Sequence, residues 1–161
     1  MEEPEVVTLK AFVVAGLRYE GGNEQGEIPA LWEQFIPRLD ELAPIAADNA
    51  PAGLYGVARA LPGVTPGPFE YLACMPVTGA EHLPEGMVAW QVPAHTYAVV
   101  RANGVAGIRP AMDRFYREWL PNSEQWQGAG NLMMELYPPS FPHDEIIYLY
   151  LPVAPKRGRA G

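Results

Sequence analysis

Two helical stripes in this sequence superpose at a constant offset, and that duplication limits the available folds more than any single motif does. Residues 28–42 carry apolar side chains at 28, 31, 32, 35, 36, 39 and 42; residues 108–120 carry them at 108, 111, 112, 115, 116, 119 and 120. Both follow the i, i+3, i+4, i+7 spacing of an amphipathic helix. Ile28 falls on Ile108, Trp32 on Met112, Phe35 on Phe115 and Leu39 on Trp119. Pro29 and Pro110 suit first turns, Pro37 should kink or end the first helix, and Pro121 should stop the second.

The flanks repeat as well. "AGLRYEG" (15–21) precedes the first stripe as "AVVRANG" (98–104) precedes the second. Each stripe is followed by two strand-like runs, "GLYGVARA" (53–60) and "FEYLACMPV" (69–77), then "NLMMELYP" (131–138) and "EIIYLYLPV" (145–153). The second run of each pair ends in Pro-Val, and Pro-rich loops, "LPGVTPGP" and "PPSFPHD", join the runs as hairpins. The expected fold is α+β: two pseudo-symmetric β-α-β-β modules, about 6–80 and 86–153, forming a curved antiparallel sheet with two main helices and a central ligand cleft. "GMVAWQVPA" (86–94) adds a strand between the modules, and 154–161 reads as a flexible tail. With 161 residues, 48% of them hydrophobic, the chain can bury a core as one domain spanning 1–161.

The formal net charge of −8 disfavours phosphate backbones, so nucleic-acid binding is not expected. Lys156, Arg157 and Arg159 make a small basic end beside Gly158 and Gly161, which reads as a frayed terminus. A single cysteine, Cys74, rules out an internal disulfide and fits a reducing cytoplasm. Neither a signal pattern nor an apolar run of membrane-spanning length is present. The expectation is a cytoplasmic monomer or homodimer.

One residue breaks the apolar pattern. In "NLMMELYPP" (131–139) the period of two puts Leu132, Met134 and Leu136 on one face and Met133, Glu135 and Tyr137 on the other. Glu135 therefore sits between a methionine and a tyrosine, as a strand-edge acid bent into solvent or as a pocket carboxylate. The first set is expected to face the helices and the second to line the pocket. Aligning the halves sets Glu135 against Val57, so only one module carries the acid. Trp32, Phe35, Phe115 and Tyr116 on the helical stripes read as core. Tyr148 and Tyr150 share one face of the last strand and read as core or as pocket wall, as do Trp90 and Tyr71. Trp119 at a helix end and Trp126 in "PNSEQWQGAG" suit a rim or lid.

Taken in order, "IPALWEQF" (28–35), "YGV" (55–57), "FEYLACMPV" (69–77), "GMVAWQVPAHTYAVVRANG" (86–104), "FYREWLP" (115–121), "MELY" (134–137) and "YLYLPV" (148–153) resemble the GyrI-like small-molecule-binding domain, also called the AraC-type or bacterial-activator effector-binding domain. The resemblance runs from about residue 6 to 153. It implies paired β-α-β-β modules around an apolar pocket with a buried glutamate, which lands on Glu135, and aromatic walls at Tyr137, Tyr148, Tyr150 and Tyr71. In many relatives this domain is the sensor of a multidrug-responsive transcription regulator and takes up lipophilic cations. Since the repeat begins near Met1, with no helix-turn-helix ahead of it, the resemblance implies a free-standing version.

The expected ligand-binding set is Glu135, Tyr137, Tyr148, Tyr150, Tyr71, Trp90, Met133, Trp119 and Trp126, taking an amphipathic, cationic small molecule without a cofactor. Two alternatives follow from relatives of the same family: hydrolysis of activated or strained esters with Glu135 as general base, and restraint of a topoisomerase through a protein contact. His82, His95 and His143 lack a metal-ligand spacing, and Ser123 and Ser140 lack a nucleophile-elbow context. Cys74 reads as a small buried hydrophobe, and "NGVAG" (103–107) has no lysine for a phosphate loop.

Overall fold

The computed structural model of the chain describes residues 3–22, 25–60, 69–141 and 143–156. Among them are strands β1 (Glu5–Leu9), β2 (Phe12–Gly21), β3 (Leu54–Ala60), β4 (Phe69–Val77), β5 (Val88–Val92), β6 (His95–Asn103), β7 (Trp126–Gly128), β8 (Leu132–Tyr137) and β9 (Ile146–Pro155). All pair antiparallel, in the order β1-β6-β9-β8-β3-β4-β2-β5, with β7 added beside β9. This is an α+β fold with one large antiparallel sheet.

The first apolar stripe forms α1 (Glu27–Phe35), breaks into a 3-10 turn at Ile36–Arg38, and resumes as α2 (Leu39–Leu42). Pro37 has no amide hydrogen to continue the ladder, so the break falls where the sequence puts it. The second stripe stays continuous through α3 (Ile108–Arg114), a π-helical turn (Phe115–Trp119) and α4 (Leu120–Asn122). No helix among the described residues is long and apolar enough to cross a membrane.

The edge strands are exchanged between modules. β1 leads into β2 but pairs with β6, and β5 leads into β6 but pairs with β2. Only Lys10 and Ala11 join β1 to β2, and only Pro93 and Ala94 join β5 to β6. A flat sheet would hold each connected pair six strand spacings apart, roughly 29 Å. Two linking residues reach about 11 Å between flanking Cα atoms. The sheet must therefore curl until its two ends meet. Its concave face is filled by one cluster containing Phe12, Val14, Val57, Leu72, Trp90, Val92, Tyr97, Met134 and Tyr150. A duplicated edge strand was not expected from the sequence; the exchange is tertiary.

Both helices lie on the convex face. α1 and α2 pack with Tyr71, Ala73 and Val77 of β4, while α3 and the turn after it pack with Ile147, Leu149 and Leu151 of β9. This corrects the expected sidedness of β8. Leu132, Met134 and Leu136 point into the curled sheet, and Met133, Glu135 and Tyr137 share the face that bears the helices.

The repeat alignment shifts by one residue at this strand. When Pro76-Val77 is laid on Pro152-Val153, Ala73 falls on Leu149. Their ladder partners are Gly56 and Glu135, so Gly56, not Val57, is the counterpart of Glu135. Gly56 is also the residue directly across from Glu135 in the β3–β8 ladder. The local twofold axis of the repeat thus passes between these two residues.

The stretch 121–130, expected as a loop, contains β7, which pairs Trp126 with Pro155 and Gly128 with Val153. β9 runs on to Pro155, and Lys156 follows with its amide bonded to the Gln125 carbonyl, so the expected tail does not begin at 154. The expected turn "LPGVTPGP" (61–68) lies outside the described residues, as do residues 157–161 of the basic end and Pro142 of the second turn.

Candidate functional site

Glu135 sits at the centre of the sheet, where the two helix clusters meet. Its carboxylate reaches across β3 to β4. Tyr71 Oη donates to Glu135 Oε1 at 2.8 Å, and Tyr137 Oη donates to the same oxygen at 2.9 Å. Trp32 Nε1 on α1 donates to Tyr71 Oη at 2.9 Å, so the donors form a relay ending on the acid. Trp32 packs against the Tyr137 ring at 5.2 Å and 60°, and Phe141 meets the same ring edge-on at 5.2 Å. Such contacts contribute about 0.5–1.5 kcal/mol each beyond their burial.

The floor of this arrangement is Gly56. A Cβ there would stand 2.0 Å from Tyr71 Oη and 2.7 Å from Glu135 Oε1. A strand glycine often marks such a close approach, and this one lets the glutamate lie flat over β3.

Glu135 is half-buried rather than fully enclosed. Loss of hydration pushes its carboxyl pKa up, and the Tyr71 and Tyr137 hydroxyls oppose that shift by stabilising the anion. Burial, reinforced by the neighbouring carboxylate, pushes both tyrosines up as well, so they remain protonated donors. No ion pair reaches Glu135 among the described residues. The ion pairs there are Arg18 with Glu20 and Glu70, Arg59 with Glu70, Arg38 with Glu41 and Arg114 with Glu118.

Of the nine residues expected at the ligand site, Tyr71 and Tyr137 contact Glu135, and Met133 shares its face beside the second helix. Tyr148, Tyr150 and Trp90 lie on the opposite, concave face. Tyr150 packs edge-on against Tyr97 at 5.9 Å, and the Arg59 guanidinium covers Trp90 at 3.8 Å from the ring centroid. Ladder parity explains this: Tyr150 faces Met134 and Tyr148 faces Leu136. Trp119 stacks on Phe115 at 5.2 Å and 19°, and with Trp126 and Tyr148 it borders a separate open groove. Glu135 lines neither this groove nor the shallow one at Ala46–Asn49 and Thr78, and its bonded partner Tyr137 is packed by Trp32.

The core reading of the helical stripes holds for Phe35 and Phe115, and Trp32 packs against that core while its indole N–H also bonds Tyr71, but Tyr116, expected as core, is exposed. Gly56 was missed through the one-residue shift in the repeat alignment. No group of three or more acidic, histidine or cysteine side chains suited to a metal occurs among the described residues.

The profile of Cass2, the integron-associated effector binding protein family, matches residues 5–153. The chain belongs to this family. That agrees with the GyrI-like resemblance of its motifs and makes it an effector-binding domain related to transcription regulators. The transcriptional regulator BrlR of Pseudomonas aeruginosa is 41% identical over 101 residues, 63% of this chain. The match spans 35% of the regulator's own length. Two solved structures share the Cass2-family fold. The structure of SAV2435 bound to tetraphenylphosphonium has a TM-score of 0.73 at 15% identity, covering 95% of this chain and 94% of its own. An integron cassette protein from the mobile metagenome of Vibrio cholerae has a TM-score of 0.64 at 17% identity, covering 95% and 97%.

Proposed function

We propose that this effector-binding domain takes lipophilic organic cations against Glu135. The observation that carries the reading is a half-buried carboxylate held by neutral hydroxyl donors, with no cationic side chain paired to it among the described residues. The Tyr137 ring that bonds it is packed by Trp32 and Phe141, and the fold relative SAV2435 is described with a phosphonium cation. A cation about 4 Å away would gain roughly 4 kcal/mol at an effective dielectric of 20, before its own desolvation is subtracted. Each aromatic face adds about 0.5–2 kcal/mol.

Ligand entry requires the aromatic stack to part. Trp32 is the movable member, because α1 has only nine residues, no side-chain N-cap and a proline break after it. A bound cation takes the face of Tyr137 against which Trp32 packs.

Titration of tetraphenylphosphonium by calorimetry or tryptophan fluorescence tests this. Glu135→Gln keeps a carbonyl acceptor for both tyrosines and should weaken binding about tenfold or more. Because the anion is the binding form and its pKa is raised, affinity should climb as pH rises through that folded-state value. Equal affinity in the parent and Glu135→Gln would sink the assignment.

A second reading rests on the bonding of the acid. Both hydroxyls converge on Oε1, leaving Oε2 free to accept a proton from water as a general base toward an activated ester. Turnover of an ester panel that disappears in Glu135→Gln would favour hydrolysis over binding alone.

A further inference from the structure

Trp32 makes two contacts beside Glu135, and a ligand that displaces it must replace both. Its ring packs against Tyr137 at 5.2 Å, and its Nε1–H donates to Tyr71 Oη at 2.9 Å. An indole N–H only donates, so the Tyr71 oxygen accepts there and its own hydrogen goes to Glu135 Oε1 at 2.8 Å. Tyr137 Oη donates to the same oxygen at 2.9 Å, which leaves Oε2 for a ligand. Tyr71 cannot follow a departing Trp32. It is 2% exposed, and its Oη lies only 2.0 Å from where a Cβ on Gly56 would stand, fixed between the β3 backbone and Glu135. Without a new donor that oxygen loses a hydrogen bond where little water can reach it, and such a loss opposes binding.

We propose that the domain selects flat aromatic cations that carry a ring N–H. The N–H takes the place of the Trp32 donor on Tyr71 Oη, the ring covers Tyr137, and the charge meets Glu135 Oε2. This selectivity rests on the cation reading above and adds what else the ligand must supply. A delocalised cation spreads part of its charge onto the ring nitrogen. Its N–H therefore forms a charge-assisted bond, stronger than that of the neutral indole it displaces. Trp32 is then an internal competitor, a neutral stand-in for the ligand carried on α1. Onium ions that lack an N–H, such as tetraphenylphosphonium, meet the charge and the ring but leave Tyr71 without its donor. A guanidinium fork is disfavoured for a different reason: it needs both carboxylate oxygens, and the two tyrosines already fill Oε1.

Calorimetry on the full chain with two permanent cations of one shape tests this. One is a β-carbolinium methylated on its pyridine nitrogen, which keeps the indole N–H; the other is methylated on the indole nitrogen as well. The first should bind about tenfold more tightly. Tyr71→Phe removes the acceptor and should bring the two affinities together, whereas a methyl group that merely clashes would keep them apart. Trp32→Phe keeps a ring for Tyr137 without an N–H, and should raise affinity for the N–H cation about fivefold by removing the competitor. Any of four outcomes would overturn the proposal: no saturation by either carbolinium at about 1 mM, equal affinities in the parent chain, a preference that survives Tyr71→Phe, or unchanged affinity in Trp32→Phe. Tetraphenylphosphonium separates this from the reading beneath it. If its binding depends on Glu135 while the two carboliniums bind alike, the N–H requirement fails and the cation site stands. If no cation loses affinity in Glu135→Gln, both fail.

Discussion

The two modules share a skeleton and differ at the axis of the repeat and at the sheet edges. Phe35 and Phe115, which superpose, are 0% and 2% exposed and anchor their helices to the sheet in the same way. At the axis, Gly56 opposes Glu135; at the first module's sheet edge Leu83 and Met87 pack against the helix, while among the described residues the second module's edge is bordered by Glu3 and Pro4. Repeated positions carry the packing, so chemistry can occupy the positions where the repeat fails. The departures from symmetry are therefore the places where the two modules can differ in chemistry.

Making the halves more alike should cost most where the backbones touch. Gly16 is the counterpart of Val99, yet a Cβ at Gly16 would stand 1.8 Å from the Ala73 carbonyl oxygen. Gly16→Val should therefore lose about 4 kcal/mol or prevent folding, as judged by urea denaturation. At the axis, Gly56→Ala should cost about 2 kcal/mol. Because the obstructing atoms belong to Tyr71 and Glu135, adding Tyr71→Phe should be non-additive with it; strict additivity would show that the two sites do not meet.

A smaller effect comes from pH. The raised carboxyl pKa means that Glu135 holds its proton more tightly in the folded chain than in the unfolded one, whose value is about 4.3. Its contribution to stability is complete below about pH 4.3 and is lost as pH rises through the folded-state value. Glu135→Gln should thus melt above the parent at neutral pH, with the gap closing near pH 4, in paired thermal scans. The smallest difference is at the surface. Arg38→Glu removes the bond to the Glu85 carbonyl and should slightly lower the melting temperature, whereas Glu118→Arg should leave it unchanged.

Much of the fold was legible because periodicity and proline placement are local. The broken first helix, the continuous second one and the four strands flanking them follow from residue spacing. The exchange of β1 and β5 was not legible, since it depends on pairing between residues about ninety positions apart, such as Glu5 with Val99. That exchange curls the sheet, and the curl decides which face is enclosed by the sheet and which is covered by the helices. Glu135 stood out as a charge among apolar neighbours, and Tyr137 followed from parity on its own strand. Trp32 and Gly56 were hidden, one by looking like core and the other by having no side chain. Tyr148, Tyr150 and Trp90 lie apart from Glu135 because aromatic character alone carries no information about sidedness.

The pairing of Gly56 with Glu135 also bears on why both modules belong to one chain. If identical single modules associated through the same strand exchange, the residue at the axis would face its own copy. A glutamate there would meet a second glutamate at a Cα separation of about 5 Å, with two acids competing for one space. A glycine would meet a glycine, and the site would hold no acid at all. Joining two copies covalently frees each to mutate alone, so a single carboxylate can rest over a bare backbone. An asymmetric centre of this kind is open to a fused pair and closed to a homodimer of halves.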